Sequence, residues 1–308
     1  MINILTNSKN ESTCIVLISD TNYIDYAAFL SFKLRELESD LPKIFVLTID
    51  VEEKLFEETF KNIPATQIHV DMSQIRRMGV VNWNHVSVAT YVKILIPLLI
   101  SETYTKCIYF DIDVFPLRSI RSLIEFPLHS AVAGTQFANG ENRDLFGTDD
   151  ATYFSTGLML INLAQWRANN FTLKLLQLLN ENPLLLRLDA DLINLLFREK
   201  WQPLPPSFNY MAELALNGYL GDVGIDPMII HFVGPRKPWT TLGHTEWHQI
   251  WRSEYLKFKP GSLQLSRADS KFNKKIRVIK KSKLGELILK LIPRPIKDYY
   301  LKYNELKN

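Results

Sequence analysis

The chain contains little cysteine and no long apolar run, and each absence excludes a class of protein. Its two cysteines, Cys14 and Cys107, lie in apolar, strand-like segments, which predicts buried thiols in a reducing compartment and no disulfide framework. The longest apolar run, ILIPLLI at 94–100, is far shorter than the roughly 18 residues of a membrane-spanning helix. The first residues contain too short an apolar stretch for a signal peptide. We therefore expect a cytoplasmic chain that does not cross a membrane.

The net charge of +3 conceals an uneven distribution of basic residues. Residues 261–308 contain 13 lysines and arginines against 4 acids, a local balance of +9 that leaves −6 for the rest of the chain. Lysine clusters beside a short apolar face are typical of a helix on an anionic membrane surface. The alternative is a solvated helix packed on the main domain. We predict a catalytic domain at 1–258 and a basic amphipathic tail at 259–308. We expect no nucleic-acid partner, because no recognition module accompanies the charge.

Strand-like and helical segments alternate along the first half of the chain. The pattern predicts four strands and three helices, at 14–20, 21–37, 43–50, 51–62, 66–72, 87–100 and 107–114 in chain order. Such alternation predicts an α/β fold with a mainly parallel sheet and helices on both faces. We expect Pro97 to bend or end the third helix. Ligands bind such sheets at the carboxyl ends of the strands.

Two acids, Asp111 and Asp113, lie within the apolar segment CIYFDIDV at 107–114. In one extended strand both carboxylates would point to the same face, and Ile112 would point into the core. Burying two like charges side by side is costly unless a cation or hydrogen bonds compensate them. Mg²⁺ or Mn²⁺ would be a suitable partner. A solvated strand end is the alternative, and the D-x-D pair alone is a weak signal.

Phosphatases of the haloacid dehalogenase type have a similar motif, an apolar strand followed by D-x-D-x-[TV]. In those enzymes one aspartate accepts the phosphoryl group and the other acts as acid and base. Their motif normally ends the first strand of the domain, whereas three predicted strands precede Asp111 here. A phosphatase is therefore an alternative to the interpretation below.

Six segments, in one order and covering roughly residues 14–255, together carry a more specific signal. They are ISDTNYIDYAAFL (18–30), HVSVATYVKILIPLLI (85–100), YFDIDVFPLRSI (109–120), YFSTGLMLINLAQWR (153–167), LDADLINLLF (188–197) and HFVGPRKPW (231–239). The set resembles the retaining glycosyltransferases of family 8, which include glycogenin and bacterial lipooligosaccharide galactosyl- and glucosyltransferases.

The resemblance implies a fold, a reaction and a location. It implies a single Rossmann-like nucleotide-sugar-binding domain of the GT-A type. The expected reaction moves galactose or glucose from a UDP-hexose donor to a glycan or glycolipid acceptor with retention of configuration, in lipopolysaccharide or other cell-surface glycan synthesis. Related bacterial enzymes act at the inner leaflet, so the basic tail would hold the protein peripherally on the inner face of the cell membrane.

The resemblance also assigns the metal and donor contacts. It implies Asp111, Asp113 and His231 as metal ligands, and a histidine ligand suits Mn²⁺ better than Mg²⁺. The implied donor-binding residues are Ile18, Asp20, Asn22, Tyr23, Lys93, Asp111, Ile112, Asp113, Ser155, Thr156, Gly157, Asp189, His231, Gly234 and Lys237. Within this set Tyr23 would stack on uracil, and Lys237 would contact the diphosphate. Core packing for His231 and Tyr23, and a solvent-reaching helix position for Lys93, are the alternatives.

For catalysis the resemblance points to Lys93, Asp189 and Asp191. Asp189 would orient the sugar hydroxyls, and Asp191 is the nearest candidate for a transient nucleophile. Two departures from the family pattern bear on this. The family often has D-Q-D where this chain has Asp189-Ala190-Asp191, and Asn-Ala-Gly where this chain has Ser155-Thr156-Gly157. Ala190 leaves open a front-face displacement, a substitute neighbour, weak activity, or a non-catalytic relative that binds UDP-sugar without turnover.

Overall fold

The computed structural model describes residues 12–73, 89–137, 153–181, 189–211 and 224–266. The chain divides into two compact units, Met1–Val233 and Gly234–Asn308. Most of the predicted tail, from residue 267 onward, lies outside the described residues, so its membrane binding and its separation at residue 259 stay predictions. Within the described ranges no helix is both long and apolar enough to cross a membrane.

Strands and helices alternate in the described ranges. The strands are β1 (Thr13–Asp20), β2 (Lys43–Ile49), β3 (Thr66–His69), β4 (Lys106–Phe110), β5 (Val114–Pro116), β6 (Val132–Gln136), β7 (Phe154–Asn162), β8 (Gln202–Leu204), β9 (Tyr210–Met211) and β10 (Ile229–His231). The helices are α1 (Ile24–Leu37), α2 (Glu53–Thr59), α3 (Ala89–Leu99), α4 (Arg121–Ile124), α5 (Leu163–Ala168), α6 (Phe171–Glu181), α7 (Asp189–Leu196) and α8 (Glu246–Phe258), with a 3₁₀ helix at Pro206–Asn209.

A seven-stranded sheet with the order β3-β2-β1-β4-β7-β6-β8 forms the centre of the first unit. Strands β3, β2, β1 and β4 run parallel, whereas β7 runs antiparallel to both of its neighbours. The central strands are apolar and buried on both faces, as expected for a parallel sheet covered by helices. The predicted α/β architecture with a mainly parallel sheet is confirmed.

The two cysteines are neighbours in this sheet. Cys14 of β1 and Cys107 of β4 are register partners, and both are fully buried free thiols. Burial, with each thiol beside the other, raises the pKa of Cys107 well above its ordinary value. Both thiols therefore behave as small apolar core groups, as the sequence predicted.

Helix α3 contains Pro97 and ends two residues later, at Leu99. Arg167 of α5 caps this end of the helix. Its guanidinium donates to the carbonyl oxygens of Pro97 and Ile100 at 2.8 Å each, and to that of Tyr104 at 3.0 Å. A cation at a helix C-terminus satisfies carbonyls that have no partner within the helix. The arginine therefore satisfies carbonyl oxygens at the C-terminal end of α3 and in the residues that follow it.

A second, three-stranded sheet has the order β5-β10-β9. Its existence corrects the expectation that CIYFDIDV is one strand, because β4 ends at Phe110 and β5 begins at Val114 in this other sheet. The turn between the two sheets carries Asp111, Ile112 and Asp113. The two acids are therefore close because they share a turn, and the prediction that they alternate along one strand is wrong. The prediction that Ile112 points into the core is also wrong, since this residue is half-buried at the turn.

Candidate active site

Asp111, Asp113 and His231 converge where the first sheet passes into the second. Each offers a ligand atom, and these atoms all lie within 4.8 Å of one another. His231 Nε2 is 3.4 Å from Asp113 Oδ1. Asp113 and His231 are buried, while Asp111 is partly exposed. Two carboxylates and an imidazole are a donor set for a divalent cation such as Mn²⁺.

Backbone pairing fixes these three side chains. His231 ends β10 and is the register partner of Val114 in β5, which directly follows Asp113. The amide of Phe232 donates to the carbonyl oxygen of Asp113 at 2.9 Å. On the other side, the amide of Asp111 donates to the carbonyl oxygen of Gly157 at 2.7 Å. Hydrogen bonds to both sheets thus fix the backbone on either side of the cluster.

Gly157 leaves the space that the cluster occupies. A Cβ atom at this position would lie 2.1 Å from His231 Cε1 and 2.9 Å from Asp111 Oδ2. Both distances are too short for any side chain, so only glycine allows the strand backbone to approach so closely. The family resemblance implied that Gly157 contacts the donor. The structure shows that it also makes room for two predicted metal ligands.

Lys93 of α3 lies between two carboxylates. Its Nζ is 3.3 Å from Asp111 Oδ1 and 2.7 Å from Asp189 Oδ2, and it lies 4.8 Å from the centre of the Tyr109 ring. Burial lowers the pKa of the Lys93 ammonium, but the two carboxylates outweigh burial and hold that pKa above its ordinary value. Burial raises the pKa of Asp189, and the contact with Lys93 opposes that rise. Lys93 is therefore a fixed buried cation.

Helix α7 brings two further predicted residues to the same region. Its first turn contains Asp189 and Asp191, both buried. The hydroxyl of Tyr153 donates to Asp191 Oδ1 at 2.9 Å. Asp189 is thus connected through Lys93 to Asp111, whereas Asp191 is held by the residue that precedes β7.

Asn194, which sequence reasoning missed, fastens α7 to β7. Its side-chain amide accepts from the Phe154 amide at 2.9 Å, donates to the Phe154 carbonyl at 3.0 Å and donates to the Ala190 carbonyl at 2.9 Å. Ser155 and Thr156, also predicted donor contacts, follow Phe154 and are buried. The register between β6 and β7 shifts at this point. The signal for Asn194 in the sequence is one amide on an otherwise apolar helix face.

The predicted uracil-binding residues lie at the carboxyl end of β1. Asp20 ends the strand, and its Oδ1 accepts from the amide of Asn22 at 2.8 Å. Tyr23 is 41% exposed, which leaves its ring accessible to a planar ligand. Ile18 is partly buried in β1. Because β1 and β4 are parallel neighbours, these residues and Asp111 lie at the same edge of the sheet.

Gly234 and Lys237 belong to the second unit. Gly234 has a φ of 76°, which favours glycine. Helix α8 holds the loop that contains Lys237. His248 Nε2 lies 2.8 Å from the Arg236 carbonyl oxygen, and the Arg252 side chain donates to the carbonyls of Pro238 and Thr240 at 2.7 Å each. Diphosphate binding by Gly234 and Lys237 stays a prediction.

Comparison with known proteins identifies the class. The model of the family described as "Glycosyl transferase family 8" matches residues 14–243. The chain therefore belongs to glycosyltransferase family 8, and its architecture is of the GT-A type.

Individual relatives agree with this assignment. General stress protein A of Bacillus subtilis is 28% identical over 279 residues, which are 79% of this chain and 97% of that protein. Lipopolysaccharide 1,3-galactosyltransferase of Salmonella typhimurium is 28% identical over 220 residues, 65% of this chain and 64% of that protein. The crystal structure of galactosyltransferase LgtC with donor and acceptor sugar analogues has a TM-score of 0.69 at 21% identity, covering 85% of this chain and 99% of that chain. The last similarity concerns the fold.

Replacement of Gly157 by alanine tests whether the close approach of β7 to His231 and Asp111 is needed for metal binding. The added methyl group must displace His231 and Asp111, so we expect Mn²⁺ affinity, measured by calorimetric titration, to fall roughly tenfold or more. Gly224→Ala is the matched control, because a Cβ there meets nothing within 4 Å. Equal Mn²⁺ affinity in the two variants would contradict this description of the cluster.

Proposed function

We propose that this chain transfers a hexose, galactose or glucose, from a UDP-hexose to a glycan acceptor with retention of configuration, and that it requires a divalent cation. The observation that carries the proposal is the cluster of Asp111, Asp113 and His231 beside the Lys93–Asp189 pair. Family membership and the named activity of the Salmonella relative support a hexosyltransferase in cell-surface glycan synthesis.

The charge of the site fits a doubly charged cation. Asp111, Asp113 and Asp189 supply three carboxylates, whereas Lys93 supplies one ammonium. Two more negative than positive charges in a largely buried site are costly unless a cation compensates them. Mn²⁺ suits the mixed oxygen and nitrogen donors, and Mg²⁺ is the alternative. When bound by Asp111, Asp113 and His231, such an ion would neutralise charge on the departing diphosphate.

The protein's own side chains have separate tasks in this proposal. Lys93 carries a permanent positive charge between Asp111 and Asp189. Because this ammonium is already held in place, it would stabilise negative charge on the departing diphosphate without any rearrangement of the site. Its contact fixes the Asp189 carboxylate, which we assign to orienting the sugar hydroxyls. Tyr153 fixes Asp191, the candidate for transient nucleophile in a two-step reaction. In a front-face displacement Asp191 would only stabilise developing positive charge on the sugar.

Ala190 raises the question whether this chain is an active enzyme or a non-catalytic relative. It lies between the two acids at the start of α7 and has no polar side chain, whereas the family often has glutamine there. The buried Lys93–Asp189 pair argues for activity, since it keeps a desolvated charge pair whose formation is expensive. The cation cluster does not distinguish the two alternatives, because a chain that only bound UDP-sugar would need it as well.

UDP release tests the proposal most simply. Purified protein is incubated with Mn²⁺ and each of several UDP-sugars, and UDP is measured over time beside an Asp113→Asn variant. We expect turnover of UDP-galactose or UDP-glucose, visible even as slow hydrolysis without acceptor, that requires the metal and is lost in the variant. UDP binding without turnover of any donor would favour the non-catalytic alternative, and no UDP binding would contradict the proposal. Phosphate release from phosphomonoesters would favour the phosphatase.

Replacement of Lys93 separates its charge from its packing. Lys93→Met keeps the length of the side chain but removes the cation between Asp111 and Asp189, so we expect kcat to fall roughly 100-fold or more. Lys93→Arg keeps the charge and is the matched control, expected to retain most of the activity. The kcat of both variants is measured with the preferred UDP-sugar. A Lys93→Met enzyme as active as Lys93→Arg would show that the buried charge has no part in the reaction.

A further inference from the structure

Asn209 is a buried amide in contact with one of the predicted metal ligands. Its Oδ1 lies 2.9 Å from His231 Nδ1, and the residue is 1% exposed. Its Nδ2 has no hydrogen-bond partner among the described residues. A buried amide that leaves its donor unsatisfied is costly, so the hydrogen-bond contact that its oxygen makes with His231 needs an explanation.

The fold places Asn209 and Asp113 on two sides of the same imidazole. His231 is the register partner of Val114 in β5 and of Met211 in β9. Asp113 directly precedes Val114, and Asn209 lies two residues before Met211, at the end of the 3₁₀ helix. The amide of Met228 donates to the Ser207 carbonyl at 2.8 Å and fastens this helix to the residues before β10. The three-stranded sheet thus fixes both neighbours of His231.

The contact selects one protonation site on the ring. A carbonyl oxygen can only accept, so Nδ1 must carry the proton and donate it to Asn209 Oδ1. In the neutral ring Nε2 then carries the lone pair, and this atom lies 3.4 Å from Asp113 Oδ1. A histidine ligand binds a metal through an unprotonated nitrogen, and a partner on the other nitrogen orients the ring and fixes its tautomer.

We propose that Asn209 is a positioning residue for the metal, which holds the His231 ring by its Nδ1 and so directs Nε2 at the site shared with Asp111 and Asp113. The inference rests on the proposed function, because it assumes that a divalent cation binds there. It adds a residue outside all six sequence segments, with a role that needs only its acceptor oxygen. The unused amide donor has no part in it.

Two substitutions separate the acceptor from the volume of the side chain. Asn209→Leu keeps the approximate volume and removes the acceptor, whereas Asn209→Asp keeps an oxygen that can accept from Nδ1. Thr172→Val is the matched control. Thr172 lies in α6, outside the cluster. The substitution removes a buried hydroxyl that donates to the carbonyl oxygen of Ile94 in α3 at 2.9 Å. Thermal unfolding of each variant shows which of them are folded.

The readout is Mn²⁺ affinity and not activity. Mn²⁺ is titrated into each protein at a fixed UDP concentration, and the electron paramagnetic resonance signal of free Mn²⁺ gives the Kd. We expect Asn209→Leu to raise this Kd roughly 10- to 100-fold. Asn209→Asp should stay within about threefold of the wild-type Kd, since the acceptor is kept, and Thr172→Val should equal the wild type.

Each other result overturns the inference. An Asn209→Leu protein with wild-type Mn²⁺ affinity would show that the amide does not position the ligand. Equal losses in the Leu and Asp variants would show that the acceptor oxygen is not what holds the ligand, and an equal loss in Thr172→Val would assign the effect to core packing. If Asn209→Leu does not fold, Asn209→Ala takes its place as the variant without an acceptor, and wild-type Mn²⁺ affinity in it overturns the inference. A wild-type protein that binds UDP but no Mn²⁺ would overturn the proposed metal dependence together with this inference.

Discussion

The attraction between one buried ammonium and the carboxylates around it organises this site. Lys93 contacts Asp111 and Asp189 at once, and so connects the predicted cation cluster with the helix that carries the predicted catalytic acids. Without that charge, three carboxylates would be brought together in a poorly solvated place, which is strongly unfavourable. The lysine compensates for only part of the negative charge. The remainder makes the site suitable for a divalent cation and a charged donor.

The fold supplies this arrangement at a junction of two sheets. The parallel sheet delivers Asp111 at the end of β4, and the small sheet delivers Asp113 and His231 through the pairing of β5 with β10. Gly157 permits the approach of the antiparallel strand β7, whose carbonyl holds the amide of Asp111. Asparagines then hold neighbouring parts in place, with Asn194 at helix α7 and Asn209 at His231. Asn194 both accepts and donates, whereas Asn209 contributes its acceptor oxygen.

Much of this could be predicted from local sequence. The alternation of strand-like and helical segments predicted the α/β fold. The ordered motifs predicted the family, and the resemblance assigned Lys93, Asp111 and His231 to the same site. The geometry of the acid pair was predicted for the wrong reason, because hydrophobicity does not reveal that Phe110 and Val114 belong to different sheets. Asn209 was not predictable, since its partner His231 is 22 residues away and is reached through the small sheet. Contacts of this kind depend on register, which a single sequence does not specify.

The central claim is that one divalent cation binds among Asp111, Asp113 and His231. The most direct test is diffraction from crystals grown with Mn²⁺ and UDP, collected at the manganese absorption edge, because the anomalous signal locates the ion without assumptions about its ligands. We predict a single strong peak within coordination distance of a carboxylate oxygen of each aspartate and of Nε2 of His231. A peak bound by other residues, or bound UDP with no manganese peak near these three, would contradict the account.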